Sequence, residues 1–111
     1  RRARRPYIGT INTLVHVSAA LTDGALVEAL SIVAQARTAA VIDWQGVEPG
    51  AAITGTGTDC IVVASPCRGE PLAWAGLHTA VGEAIGGAVY DATRSGAEQW
   101  KQDFSALLRG Q

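Results

Sequence analysis

Methionine is absent from the sequence altogether, position 1 included. A primary translation product begins with one, so the chain is expected to be processed, truncated or partial. Charge is also scarce, at 17% of residues against 48% hydrophobic. That balance excludes an intrinsically disordered chain, which has too little apolar surface to bury. Long hydrophobic runs are missing too. None reaches the roughly 18 residues of a membrane span, so no membrane partner is expected. Cysteines number two, Cys60 and Cys67. They are too few for a disulfide framework or for a zinc site with its about four ligands, and they fit a reducing compartment. Basic charge is nearly missing from the body. Arg1, Arg2, Arg4 and Arg5 hold four of the nine basic residues, and residues 6–111 carry five basic against ten acidic ones. A body of that sign is not a nucleic-acid footprint. Residues 1–6 read as a basic linker or disordered segment, and no apolar stretch follows them to make a targeting signal.

The chain does have a core to build. Its 111 residues suffice for a single domain or half-domain. Thr54 to Ala64, TGTGTDCIVVA, is the most unusual stretch. In an extended chain Thr54, Thr56 and Thr58 share one face, and Gly55 and Gly57 leave the other bare. Bare glycine backbone admits a ligand or another element. The stretch is not a nucleotide loop. It lacks GxxxxGK[ST], and the third glycine of GxGxxG is replaced by Cys60. Its backbone N–H groups and hydroxyls suit an anion or an amide oxygen, or else a glycine-containing strand end.

Around it the chain reads as alternating strands and helices. Tyr7 to Val17 is β-branched and predicts a strand. Thr10, Asn12, Leu14 and His16 lie on one of its faces and Ile11, Thr13, Val15 and Val17 on the other. Thr22 or Asp23 caps a helix ending near Trp44, and Leu21 with Leu26 forms a hydrophobic staple if Thr22 is the cap. Arg37 and Thr38 interrupt that helix's apolar stripe. A second strand ends at Ala64, and Leu72 to Ala75 is a candidate third. Val81, Ile85, Ala88, Val89 and Ala92 form one apolar helix face. Gly82, Gly86 and Gly87 are expensive there, which points to close packing. Ser95-Gly96 is expected to break the helix, with a terminal helix from Glu98 to Leu108. The order β-α-β-(β)-α predicts an α/β layer arrangement, as part of a larger domain.

Candidate site residues follow from chemistry. Asp59 enters an apolar strand, where a carboxylate needs partners. It orients a base or substrate, or bonds loop N–H groups or Arg68. His78 precedes the second helix and is a candidate base or a surface or capping residue. Thr79 reads as a helix cap. Glu83 is a first-turn stabiliser or a catalytic carboxylate. Asn12 bonds a loop or a ligand. Ser65 lacks the GxSxG elbow and Cys67, beside Arg68, has no spacing that ties it to His78.

Three blocks, GTINTLV, TGTGTDCIVVA and GEPLAWAGLHTAVGEAIGGAVYDA, together resemble the C-terminal half of the adenosylcobinamide amidohydrolase (CbiZ) family over about residues 8–93. EALSIVAQARTAAVIDWQGV resembles the family's intervening helix. The resemblance implies a cytoplasmic amidohydrolase of corrinoid salvage. It cleaves the amide joining aminopropanol to the corrin of adenosylcobinamide, giving adenosylcobyric acid in cobalamin synthesis. It implies no cofactor, the cobalt belonging to the substrate, and an N-terminal half or a further copy as partner. On that reaction His78 is the expected base or acid. Thr54, Thr56 and Thr58, with the N–H groups of Gly55 and Gly57, hold the oxyanion or the corrin amides. Asp59 orients His78 or water, Glu70 and Glu83 are reserve carboxylates, and Asn12 and Thr79 contact substrate. The alternative is a corrinoid-binding or assembly module without catalysis.

Overall fold

The β-branched run after Thr10 forms a strand because such side chains pack well on a pleated surface. The computed structural model describes residues 10–45 and 58–109. Within them the order is β1 (Asn12–His16), α1 (Asp23–Gln45), β2 (Cys60–Ala64) and α2 (Ala80–Arg109). This is the α/β arrangement that the pattern predicts. β1 and β2 pair in parallel, with Asn12 opposite Cys60 and His16 opposite Ala64. The predicted face division holds. Thr13 and Val15 of β1 and Ile61 and Val63 of β2 are half-buried, and the three apolar ones pack on the core. Asn12, Leu14, His16, Cys60, Val62 and Ala64 lie on the other face, all exposed. Leu14 is 76% exposed and Val62 47%, so one face of the sheet is bare among the described residues. Parallel sheets are ordinarily covered on both.

Thr22 is the cap of α1: Ala25 N–H donates to Thr22 Oγ1 at 3.1 Å. Leu21 is in the core and Leu26 packs against it, the staple that this cap requires. Of the described helices α1 alone is long and apolar enough to cross a membrane by length and composition. Here it is the central core helix. Ala25, Ala29, Ile32, Val33 and Ala40 are buried, and the alanines let neighbouring elements approach closely. α2 runs alongside it in the same direction. Ile32 lies against Gly86, Tyr90 Oη donates to Asp43 at 2.6 Å, and Trp44 Nε1 donates to Glu98 at 3.2 Å.

Two elements differ from the expectation. Leu72 to Ala75 does not form a third strand. Its pairing is one parallel bridge, with Leu72 N–H donating to Ala20 O at 2.9 Å and Thr22 N–H to Leu72 O at 3.0 Å. The other difference is Ser95-Gly96, which does not break α2. Nothing stands within 4 Å of where a side chain at Gly96 would begin. The glycine costs only its propensity, and the Ala-, Glu-, Gln- and Lys-rich flanks carry the helix through. The result is a helix of 30 residues, about 45 Å long.

Candidate functional site

Asp59 sits just ahead of β2, where the chain enters the sheet. Its Oδ1 accepts from Ile11 N–H at 3.0 Å. Its Oδ2 pairs with the guanidinium of Arg37 on α1, and the two side chains are 12% and 15% exposed. The arginine that interrupts the apolar stripe of α1 is therefore the partner of Asp59; Arg68, one of the alternatives, is exposed in the later loop. Beside this pair the hydroxyls of Thr10 and Thr58 share a 2.6 Å hydrogen bond. Thr58 and Asp59 thus bond the strand entry to itself and to α1. Asn12 stands next to them on the bare face. Thr54, Gly55, Thr56 and Gly57 lie outside the described residues.

The opposite end of the sheet is built from residues 65–79 and the start of α2. Gly69 turns the chain with φ of 86°, a conformation that favours glycine. Ala75 N–H then donates to Glu28 Oε1 of α1 at 2.7 Å. Thr79 closes the entry to α2, its Oγ1 donating to Gly76 O at 2.7 Å and accepting from Gly82 N–H at 3.0 Å. A methyl at Gly82 would lie 2.0 Å from Gly76 O, so only glycine lets the loop rest on the helix here. This accounts for one of the three costly helix glycines. Gly86 has ordinary contacts and Gly87 has none within 4 Å.

His78 folds back over Gly76. A methyl on Gly76 would lie 2.9 Å from His78 Nδ1 and 3.5 Å from Glu28 Oε2. The imidazole and the Glu28 carboxylate therefore both lie close to Gly76, where a larger residue would meet the ring. Glu70 is exposed in the same loop and Glu83 is exposed in the first turn of α2. Trp74 and Leu77 are 65% and 59% exposed, an apolar rim on both sides of Gly76. An open groove of about 500 Å³ lies at this end, lined by Thr22, Asp23, Ser65 and Cys67 among others.

The expected site residues therefore fall into two groups. Asp59, Thr58 and Asn12 are at the strand entries, while His78, Thr79, Glu70 and Glu83 are at the strand exits. Glu28, beside His78, and Arg37, on Asp59, are nine residues apart on α1, about 13 Å along its axis. Asp59 does not orient His78 across that distance. Sequence reasoning overlooked Glu28 and Trp74. A carboxylate inside the apolar stripe of α1 was the available signal for the first, and a tryptophan in a short apolar run after two prolines for the second. Among the described residues no group of three or more His, Cys, Asp or Glu side chains is gathered to hold a metal.

Comparison with known proteins adds a family. The family model described as adenosylcobinamide amidohydrolase matches residues 1–104. An uncharacterised protein of Methanocaldococcus jannaschii is 39% identical over 85 residues, covering 74% of this chain and 33% of that protein. A protein of Halobacterium salinarum named adenosylcobinamide amidohydrolase is 32% identical over 93 residues, 84% of this chain and 38% of its own length. The match thus spans about a third of the length of these relatives. No solved structure matches it.

Proposed function

The chain belongs to the adenosylcobinamide amidohydrolase (CbiZ) family, and from that membership we propose that it takes part in hydrolysing the amide between aminopropanol and the corrin ring of adenosylcobinamide. The products are adenosylcobyric acid and the free aminopropanol, and the setting is cytoplasmic corrinoid salvage. The cobalt is part of the substrate. The observation that carries this reading is the family match along nearly the whole chain, joined to a histidine displayed at the strand exits. In open α/β sheets, ligands bind outside the carboxyl ends of the strands.

In this reading His78 takes a proton from water as the water oxygen attacks the amide carbon. Backbone N–H groups hold the negative charge that develops on the carbonyl oxygen. The Thr54–Gly57 stretch and the Thr79 hydroxyl are candidates to hold corrin amides. His78 then returns the proton to the leaving nitrogen as the C–N bond breaks, so that water adds as a carboxylate and an ammonium. Glu83 and Glu70 are at hand for the amine. Trp74 and Leu77 offer the macrocycle an apolar surface close to the base. The bare sheet face receives a further layer of the family fold, which relatives of more than twice this length have the chain to supply.

The test is release of aminopropanol from adenosylcobinamide, measured with His78 intact and as His78→Ala, in this chain and in a relative of full length. Loss of turnover by about 10²-fold or more in His78→Ala supports the assignment. Unchanged turnover sinks it. The short span of the chain favours a second reading, a corrinoid-binding module without catalysis. A shift of the corrinoid visible spectrum with no product would establish that one instead.

A further inference from the structure

The groove at the strand exits has no part in the reaction proposed above. One wall is the start of α1, with Thr22, Asp23 and Leu26, and the other is the segment leaving β2, with Ser65 and Cys67. Gly69 turns that segment, and Leu72 ties its far end to Ala20 and Thr22 through two backbone hydrogen bonds. The Thr22 hydroxyl is spent on the helix cap. The side chains of Asp23, Ser65 and Cys67 make no hydrogen bond or ion pair. Among the described residues that line the groove, Asp23 carries the one charge and none is basic. Leu26, on the groove, and Glu28, bonded to Ala75 N–H, are two residues apart and so project from opposite sides of α1. His78 is on the Glu28 side, against Gly76. The groove therefore meets a different part of any ligand from the part that meets the histidine.

We propose that this groove holds a neutral carboxamide arm of the corrinoid and rejects an arm that ends in a carboxylate. The proposal rests on the corrinoid reading above and adds to it a selectivity for the side arms. An ionised carboxylate only accepts hydrogen bonds, and a primary amide has two N–H groups to give it. The Ser65 hydroxyl is a donor for the amide oxygen. Leu26 and Val63 offer an apolar surface to the methylene stem of the arm. The volume, about 500 Å³, is that of a small-ligand site. An arm ending in a carboxylate has no donor for Asp23. It also brings a second negative charge into a groove whose described lining holds no cation, and like charges set together disfavour the wrong partner. A macrocycle with arms on every side can place one in the groove while another meets His78 across the start of α1.

Cys67 is a reporter built into the wall, and iodoacetamide and iodoacetate are a matched amide and carboxylate that both alkylate it. Cys60, the other free thiol, is exposed on the bare sheet face and serves as the internal control. Its neighbour Asp59 is paired with Arg37. Peptide mass spectrometry reads the two rates at each thiol. At low salt the amide-to-carboxylate rate ratio at Cys67 should exceed that at Cys60 by about 5-fold, the effect of one charge a few ångströms away in water. Arg68, next in the chain, pulls the other way, so the excess reports Asp23. Asp23→Asn keeps an acceptor for the amide and removes the charge, and the ratio should fall to that of Cys60. Saturating dicyanocobinamide, whose cobalt is filled by cyanide on both faces, should slow alkylation of Cys67 by about 10-fold and leave Cys60 unchanged. A ratio at Cys67 no higher than at Cys60, an excess that survives Asp23→Asn, or a Cys67 that dicyanocobinamide does not protect overturns the proposal. The ratio and the protection are read on wild type, so they decide the matter even if Asp23→Asn fails to fold. Protection of Cys67 without any cleavage of adenosylcobinamide supports the groove and sinks only the hydrolytic reading. Cleavage with Cys67 unprotected does the reverse.

Discussion

Replacing Gly82 by alanine tests the geometry on which the strand-exit end depends. In an exposed helix interior the change stabilises by about 1 kcal/mol. At Gly82 the new methyl would meet Gly76 O at 2.0 Å and Ala75 O at 2.5 Å, both backbone atoms. Relief requires the loop to move away by about an ångström. The moving segment includes Ala75 N–H, bonded to the Glu28 carboxylate, and Gly76 O, which accepts from Thr79. A hydrogen bond to a charged group contributes about 1.5–3 kcal/mol, and overpacking a close contact costs about 1–3 kcal/mol. Set against the helix gain, a net loss of about 3 kcal/mol is expected. For a domain of this size that lowers Tm by about 12–24 °C. Gly87→Ala is the matched control, because nothing lies within 4 Å of its side-chain position. It should raise Tm by about 4–8 °C. Thermal melts followed by circular dichroism at 222 nm, with urea titrations as a second measure, compare the two. If Gly82→Ala melts at or above wild type, the loop does not rest on α2. The placement of His78 beside Glu28 would then be wrong as well.

Other outcomes follow from the rest of the molecule. Asp59→Ala and Arg37→Ala should each destabilise by about 3 kcal/mol, since either leaves a largely buried charge without its partner; in urea melts the double variant should lose less than the two single losses added together. Trp74→Ala should leave the urea midpoint nearly unchanged, because the side chain is 65% exposed. It should weaken cobinamide binding by about 10- to 100-fold in a spectral titration if the indole covers the macrocycle, and unchanged affinity would remove Trp74 from the binding surface. Leu14→Asp should cost this chain less than about 0.5 kcal/mol, as expected of a surface change. A loss of several kcal/mol in the chain alone would show that the face is already packed.

The elements were legible where local chemistry and packing agree. The alternation from Thr10 to Val17 places the right residues on the core side because a strand has no other way to bury them. Thr22 and Leu21 mark the start of α1 because cap and staple are local devices. Ser95-Gly96 misled because a glycine followed by strong helix formers costs about 1 kcal/mol and no more. Residues 72–75 misled because apolar content in so short a run does not say how many bridges will form. The site was less legible than the elements. Asp59 and His78 are both chemically apt, but their separation depends on the length of α1 and on the direction in which it returns. Neither residue carries that information. Glu28 was hidden by its position, since one carboxylate in an apolar helix reads as a surface residue until the loop that meets it is known.

The two ends of the sheet cannot share one reacting amide. About 13 Å of helix separates Glu28 from Arg37, and His78 reaches only a few ångströms from its own backbone. What decides between the ends is how their polar groups are already spent. At the strand entries both Asp59 oxygens are engaged by Ile11 and Arg37, and the hydroxyls of Thr10 and Thr58 bond each other. To act on a substrate, these groups must first give up bonds that hold α1 to the sheet. At the strand exits the Thr79 hydroxyl and one Glu28 oxygen are spent on the backbone. His78 is exposed, and Trp74, four residues before it, has about two thirds of its surface free. Chemistry at this end disturbs no bond that the fold relies on. Variants at Thr58 and at His78 should therefore separate in kinetics. Thr58→Ala should move KM or stability and leave kcat within about 2-fold, while His78→Ala should remove kcat. A Thr58→Ala enzyme with kcat down by about 10²-fold would place the reaction at the strand entries and reverse the assignment.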